Sequence, residues 1–304
     1  MIPWITYEEA ITEGLRVEMR RDSTLVCMSS EGSLNGNARP TDQLLREFGS
    51  GRVREPSPLE SMLSAAVAAA SEGLRPVCEV ELTELVNGAH VHLESIESTP
   101  LSLRVVWGAG AERSMVDGLE LFLKSAPSAK LVAPAAAADA KGLLISSIRD
   151  PGPVFFLECR DLYGSVSDAV PEGNYAVSLG EARTVAGGSE MTLIAHGPAV
   201  IAAELAAGRL GGEVQVIDLR TLRPLDREVI SSGVRETGKV LIAEAAEAPT
   251  GIDAEVENVI LEEAPEYLDA PLRYLPLPEL PAGRGPNGEW VRRTGEACSE
   301  LIAF

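Results

Sequence analysis

Aromatic residues are scarce in this chain: Phe, Trp and Tyr together make up 4% of its 304 residues. A core built with so few rings has to be filled by Ala, Val and Leu, and apolar residues at 45% are enough to fill a sizeable one. Cysteine is equally thin. Cys27, Cys78, Cys159 and Cys298 lie far apart with no CxxC pair. That argues against a zinc site or a disulfide framework, so no metal site is expected, and a reducing, cytoplasmic setting is. No apolar run reaches the roughly 18 residues a membrane span needs. The opening stretch, MIPWITYEEAITEGL, has neither the basic nor the apolar region of a signal peptide. Basic residues are outnumbered, 26 against 46 acids, for a net charge of −20. Such a surface repels phosphate backbones and anionic lipid, which speaks against nucleic-acid and membrane-surface roles. Phosphate-loop, dinucleotide-fingerprint and nucleophile-elbow motifs are missing as well.

What is present is an alternation of short apolar runs and longer helical patterns. Residues 7–20, YEEAITEGLRVEMR, put apolar residues at helical spacing, with acids early and arginines late, as the helix dipole favours. STLVCM, RPVCEVEL, LSLRVVW, AKLVAP and VFFLE read as buried strands, and ADAKGLLISSIRD as a helix capped by Asp139. A loop-rich stretch over about 160–188 is followed by a restart: EMTLIAHG, EVQVIDLR and KVLIAEAA as strands, each trailed by a helix. Unbroken apolar strands alternating with helices predict an α/β fold of two mainly parallel-sheet domains, 1–180 and 181–304. The Pro- and Gly-rich tail, 277–304, is expected to wrap another surface.

Three histidines exist. His90 and His92 sit in an HVH run and His196 ends a predicted strand, the end that faces ligand crevices in α/β folds. In SPLE, residues 57–60, Ser57 followed three residues later by Glu60 is a capping-box pattern, with Pro58 at the first helical position and Gly73 at the stop. On that reading Glu60 only starts a helix. The helix interior, SAAVAAAS, carries little side chain and suits close backbone approach at an interface.

Six fragments occur in the order of one family: TYEEAITEGLRVEMRRD, LLREFGSGRV, GLRPVCEVEL, DAKGLLISSIRDPGPVFFLECRDLYG, VIDLRTLRPLD and EEAPEYLDAP. Through them the chain resembles the beta subunit of the thiamine-diphosphate-dependent decarboxylating component of 2-oxoacid dehydrogenase complexes. The resemblance implies a transketolase-like pyrimidine-binding domain followed by a transketolase C-terminal-like domain. It implies an alpha subunit as partner, in an α2β2 heterotetramer, that supplies most of the site for the diphosphate and Mg²⁺. It also implies that Glu60 is the acid that hydrogen-bonds a pyrimidine ring nitrogen of thiamine diphosphate, with Leu85 and Gly88 beside the ring.

The fit to the family has three departures. Counted forward from FGSGRV, Glu60 takes the acid's place; counted back from GLRPV, Leu59 does, because the chain is one residue short before Gly73. One residue turns a helix by about 100°. Leu85 stands where an aromatic is usual. An acyl-delivering histidine is missing near Arg113, which leaves Arg113 as a candidate for an anionic substrate and His90, His92 or a partner residue as substitutes, with His196 as a separate pocket candidate. The expected function is decarboxylation of a 2-oxoacid with acyl transfer to the lipoyl-lysine of a lipoyl acyltransferase, or to a small carbonyl compound. A catalytically inert scaffold subunit and one half of a split transketolase-type synthase are the alternatives.

Overall fold

The computed structural model describes residues 2–31, 40–54, 57–88, 96–108, 124, 126–246, 250–278, 286 and 288–304. The chain opens with β1 (Trp4–Thr6) and α1 (Tyr7–Arg21). A capping box starts α1: the Thr6 hydroxyl accepts from the Glu9 amide, and the Glu9 carboxylate accepts from the Thr6 amide at 2.9 Å. Strands β2 (Leu25–Ser29), β3 (Arg75–Glu81), β4 (Ser102–Trp107), β5 (Lys130–Val132) and β6 (Val154–Cys159) then form the first sheet. They are parallel, in the order β5-β6-β4-β3-β2. Helices α2 (Pro40–Phe48), α3 (Leu59–Ser71), α4 (Leu82–Gly88) and α5 (Ala137–Arg149) flank it. β1 pairs antiparallel with the short β7 (Ser167–Ala169). Helix α1 lies along α5, and a side chain at Gly142 would meet Val177 at 2.5 Å, so α5 accepts no larger residue there.

The second sheet has the order β13-β12-β9-β10-β8, from β8 (Arg183–Ala186), β9 (Met191–Ala195), β10 (Val214–Asp218), β12 (Val240–Glu244) and β13 (Arg273–Pro276). All are parallel except the edge strand β8. Helices α6 (Pro198–Arg209), α7 (Arg227–Thr237), α8 (Ile252–Glu263) and α9 (Gly288–Ile302) cover it. The architecture is therefore two mainly parallel α/β domains, as the strand pattern predicts. One strand crosses over: β11 (Thr221–Arg223) leaves the second domain and pairs antiparallel with β5 at the edge of the first sheet.

Two local expectations are corrected. Asp139 does not cap α5, whose N-cap is Ala136 with no side-chain bond. Its carboxylate is instead held by Arg220 at 3.1 Å and Arg183 at 3.0 Å, both from beyond residue 180, and two guanidinium groups outweigh one backbone amide. The described end of the 277–304 tail packs on its own domain. Its last helix, α9, packs on α6 of its own domain, and the tail is tied down where Trp290 Nε1 donates to the Pro278 carbonyl at 2.8 Å.

Candidate functional site

The head of α3 is set by the end of β2. The Ser57 amide donates to the Ser29 carbonyl at 3.1 Å and the Glu31 amide donates to the Ser57 carbonyl at 3.0 Å, so Ser57 is spent in a parallel bridge with Ser30. Helix α3 therefore begins one residue later than a Ser57 cap would allow. Its N-cap is Pro58, and no side-chain cap bond forms. The expected box between Ser57 and Glu60 is absent. Leu59 turns into the core, while Glu60 stands exposed with no hydrogen bond or ion pair among the described residues.

One face of α3 buries Leu59, Met62, Leu63 and Ala66. The other presents Ser64, Ala65 and Ala68 to solvent, beside a groove of about 780 Å³ that Val26, Met28, Ser57 and Met62 also line. Helix α4 follows β3 directly and packs against α3. Leu85, on α4, is fully buried in the core, and Gly88 is the last residue of that helix. His90, His92 and Arg113 lie outside the described residues.

Behind this edge the first sheet buries charge. Arg104 on β4 is fully enclosed; Nη1 donates to Glu79 at 2.7 Å, and Nε and Nη2 donate to the two Glu158 oxygens at 2.8 Å. Burial acts to lower the Arg104 pKa, but the charges of Glu158 and Glu79 outweigh it and raise it. Burial in turn pushes the Glu158 carboxyl up, against the pull of Arg104. The Tyr163 hydroxyl donates to Glu158 as well. Nearer the rim, Arg160 pairs with Glu81, whose carboxyl is also pushed up by burial. Glu84 on α4 has a buried carboxylate oxygen without a hydrogen bond among the described residues. The sequence did carry a signal for this network. PVCEVEL, LSLRVVW and VFFLEC each put a charge inside an apolar strand, and a buried charge needs a partner.

His196 lies on the second sheet, not at the α3 head. It is the first residue beyond β9 and is 8% exposed. Its Nε2 lies 3.5 Å from Oε1 of the fully buried Glu244, at the end of β12. The second Glu244 oxygen accepts from the Tyr274 hydroxyl at 2.7 Å and the Thr250 hydroxyl at 2.9 Å. Glu244 and Tyr274 went unnoticed in the sequence, because nothing local links them to His196. The structure therefore groups Glu60 with the α3–α4 edge and keeps His196 apart from it.

Two family models match. "Transketolase, pyrimidine binding domain" covers residues 4–165, and "Transketolase, C-terminal domain" covers residues 180–295. Among curated proteins, the pyruvate dehydrogenase E1 component subunit beta of Staphylococcus aureus is 34% identical over 286 residues, spanning 88% of this chain and 88% of the relative. That of Staphylococcus epidermidis is 34% identical over the same share of each chain. Among solved structures, a split gene transketolase, described as an inactive beta4 tetramer, superposes with a TM-score of 0.77 at 20% identity over 98% of each chain. Transketolase from Leishmania mexicana gives 0.70 at 16% identity over 99% of this chain and 46% of that one. At these identities the two structural likenesses speak for the fold alone.

Proposed function

The chain belongs to the transketolase-type family that includes the pyruvate dehydrogenase E1 beta subunits, and we propose on that premise that it is the beta subunit of a two-chain enzyme acting on a 2-oxoacid. The family depends on thiamine diphosphate. When bound, that group supplies the nucleophilic carbon and the electron sink for breaking the bond to a carboxylate.

The observation that carries the proposal is the free carboxylate of Glu60. The local explanation, a helix cap, is not realised in the structure, and the side chain has no partner among the described residues. An exposed acid at the head of a helix rich in small residues is suited to meet a group held by another chain. In this reading Glu60 holds a proton against a pyrimidine ring nitrogen, and α4 supplies apolar cover beside it. The described residues fit that half of the cofactor. They offer no phosphate-cradling loop, so the diphosphate and Mg²⁺ fall to an alpha chain in an α2β2 assembly. The side chains marked for acceptor or substrate contact, Arg113, His90, His92 and His196, remain proposals from the sequence. The acceptor is the lipoyl-lysine of an acyltransferase or a small carbonyl compound. The proposed division of the chain stays at 180/181, with β11 reaching back across it.

The test is co-expression with an alpha chain and measurement of 2-oxoacid-dependent CO2 release, with and without a lipoyl acceptor. Release that collapses in Glu60→Ala, in an intact complex, upholds the proposal. Release without lipoyl reduction selects the small carbonyl acceptor. An active complex indifferent to Glu60→Ala makes this chain a scaffold. Turnover of sugar phosphates but not 2-oxoacids makes it half of a split synthase.

A further inference from the structure

Arg52 spends all three guanidinium nitrogens on main-chain carbonyls. Nη1 donates to Met19 at 3.0 Å, Nη2 to Asp22 at 2.7 Å and Nε to Leu25 at 2.9 Å. Met19 and Asp22 belong to the end of α1, where the last carbonyls find no partner within the helix, and Leu25 opens β2. The guanidinium carbon also lies 5.6 Å from the centre of the Phe48 ring, at the end of α2. One side chain thus fastens the ends of two helices to the start of a strand.

The main chain of Arg52 begins a row of bonds along the same strand. β2 is the outer strand of the first sheet, and Arg52, Arg54 and Ser57 bond to its free edge. The Cys27 amide donates to the Arg52 carbonyl at 2.9 Å, the Arg54 amide to Cys27 at 2.8 Å and the Ser57 amide to Ser29 at 3.1 Å. The register changes on the way. Cys27 bridges Val53 but Ser30 bridges Ser57, so three steps along β2 are matched by four along the chain leading into α3. Main-chain bonds alone do not tell one register from the next. A slip of one residue carries through to α3, where it turns the helix by about 100° and puts Leu59 or Ser61 where Glu60 stands. The Arg52 fork resists that slip, because its three carbonyls lie on elements that do not move with the lead-in.

We propose that Arg52 is the positioning residue for Glu60: its clamp on α1 and β2 sets the register of the chain leading into α3, so that Glu60 and not Leu59 takes the exposed place at the helix head. The inference rests on the role given to Glu60 above and adds a residue that acts only through it. The buried face of α3, with Leu59, Met62 and Leu63, holds the helix once it has started, and Arg52 decides where it starts. Lysine is no substitute, since one ammonium does not span three carbonyls as a planar fork does. Arg75 provides the control. It also closes a helix end, with Nη1 donating to the carbonyls of Ile148 and Asp150, but these belong to α5 and its cap. Among the described residues its side chain bonds nothing in 49–60.

The test compares Arg52→Met, Arg75→Met and Glu60→Ala in the complex assembled with an alpha chain, reading 2-oxoacid turnover there and thermal stability in each isolated chain. Arg52→Met is expected to lower kcat about tenfold, while Arg75→Met, which also loses stability, stays within about twofold of wild type. Amide exchange of Ser57 in the isolated chain should quicken about tenfold in Arg52→Met and not in Arg75→Met. These two results together uphold the inference. Equal turnover in the two arginine variants overturns it, because a general loss of stability then accounts for any effect. If Arg52→Met does not fold, Arg52→Lys takes its place with the same expectations. A complex indifferent to Glu60→Ala removes the role of Glu60 and the inference with it. A complex silenced by Glu60→Ala but equally active in both arginine variants overturns the inference alone.

Discussion

Arg220 reaches across the domain junction to Asp139, with Nη1 3.1 Å from Oδ1. Its Nε and Nη2 donate to the carbonyls of Glu181 and Ala182, so one guanidinium joins α5, the start of the second domain and the strand β11 that follows it. Arg220 holds a φ of +54°, uncommon for a residue with a side chain, and its own amide donates to Asp218 at 3.0 Å. Arg220→Met removes all three side-chain bonds and leaves Asp139 buried with Arg183 alone. The expected loss is about 3–5 kcal/mol, read from urea unfolding.

Asp218 gives the same junction a pH dependence. Burial, with the charge of Asp139 behind it, pushes its carboxyl up to about 7, against the pull of the Arg220 amide, Arg183 and Arg220. An ordinary Asp titrates near 3.9. The folded chain therefore binds this proton more tightly than the unfolded chain, and stability is lost as pH rises from about 4 through 7. Asp218→Asn removes that slope while keeping an acceptor for the Arg220 amide. Relative to wild type, the variant is expected to gain about 3 kcal/mol in stability between pH 5 and pH 8, whatever fixed offset its buried amide adds. Parallel pH profiles for the two proteins would exclude the shift.

The buried pairs on the first sheet set a different expectation. Arg104→Met strands Glu79 and Glu158 without their cation, and the chain should lose about 3–5 kcal/mol or fail to fold. Replacing all three residues with apolar side chains of similar volume removes the stranded charges, and that triple variant is expected to recover most of the loss in denaturant titrations.

These cases show where the sequence was legible. Strands such as VFFLE and MTLIA could be read because burial on both faces leaves no polar alternation. The charges within them announced that partners existed, not which. Asp139 and Ser57 were misread for a common reason. Each carries a short-range capping spelling, and each is claimed by a partner its neighbours do not reveal: Arg220, 81 positions away, and the end of β2. β11 escaped notice because three residues, TLR, have no period to detect, and its partner β5 is about 90 positions earlier. The His196–Glu244 contact needs the strand order β12-β9, which only the folded sheet supplies.

Glu60 separates stability from function. A capping pair contributes about 0.5–2 kcal/mol, so both Ser57→Ala and Glu60→Ala would weaken the isolated chain if the box existed. Here the Ser57 hydroxyl makes no cap bond and Glu60 is exposed and unpaired among the described residues. Either change should shift the stability of the isolated chain by less than about 0.5 kcal/mol. The two then part company in the assembled enzyme. Ser57→Ala should leave turnover near wild type, because the backbone of Ser57, not its hydroxyl, sets where α3 begins. Glu60→Ala should abolish most of it, and Glu60→Gln should as well, because an amide keeps the shape of the side chain but cannot share a proton with a ring nitrogen. Thermal melts of the isolated variants beside turnover of the assembled ones decide the matter. A Glu60→Ala chain that melts several degrees early would restore the cap and remove the reason for placing Glu60 at a cofactor.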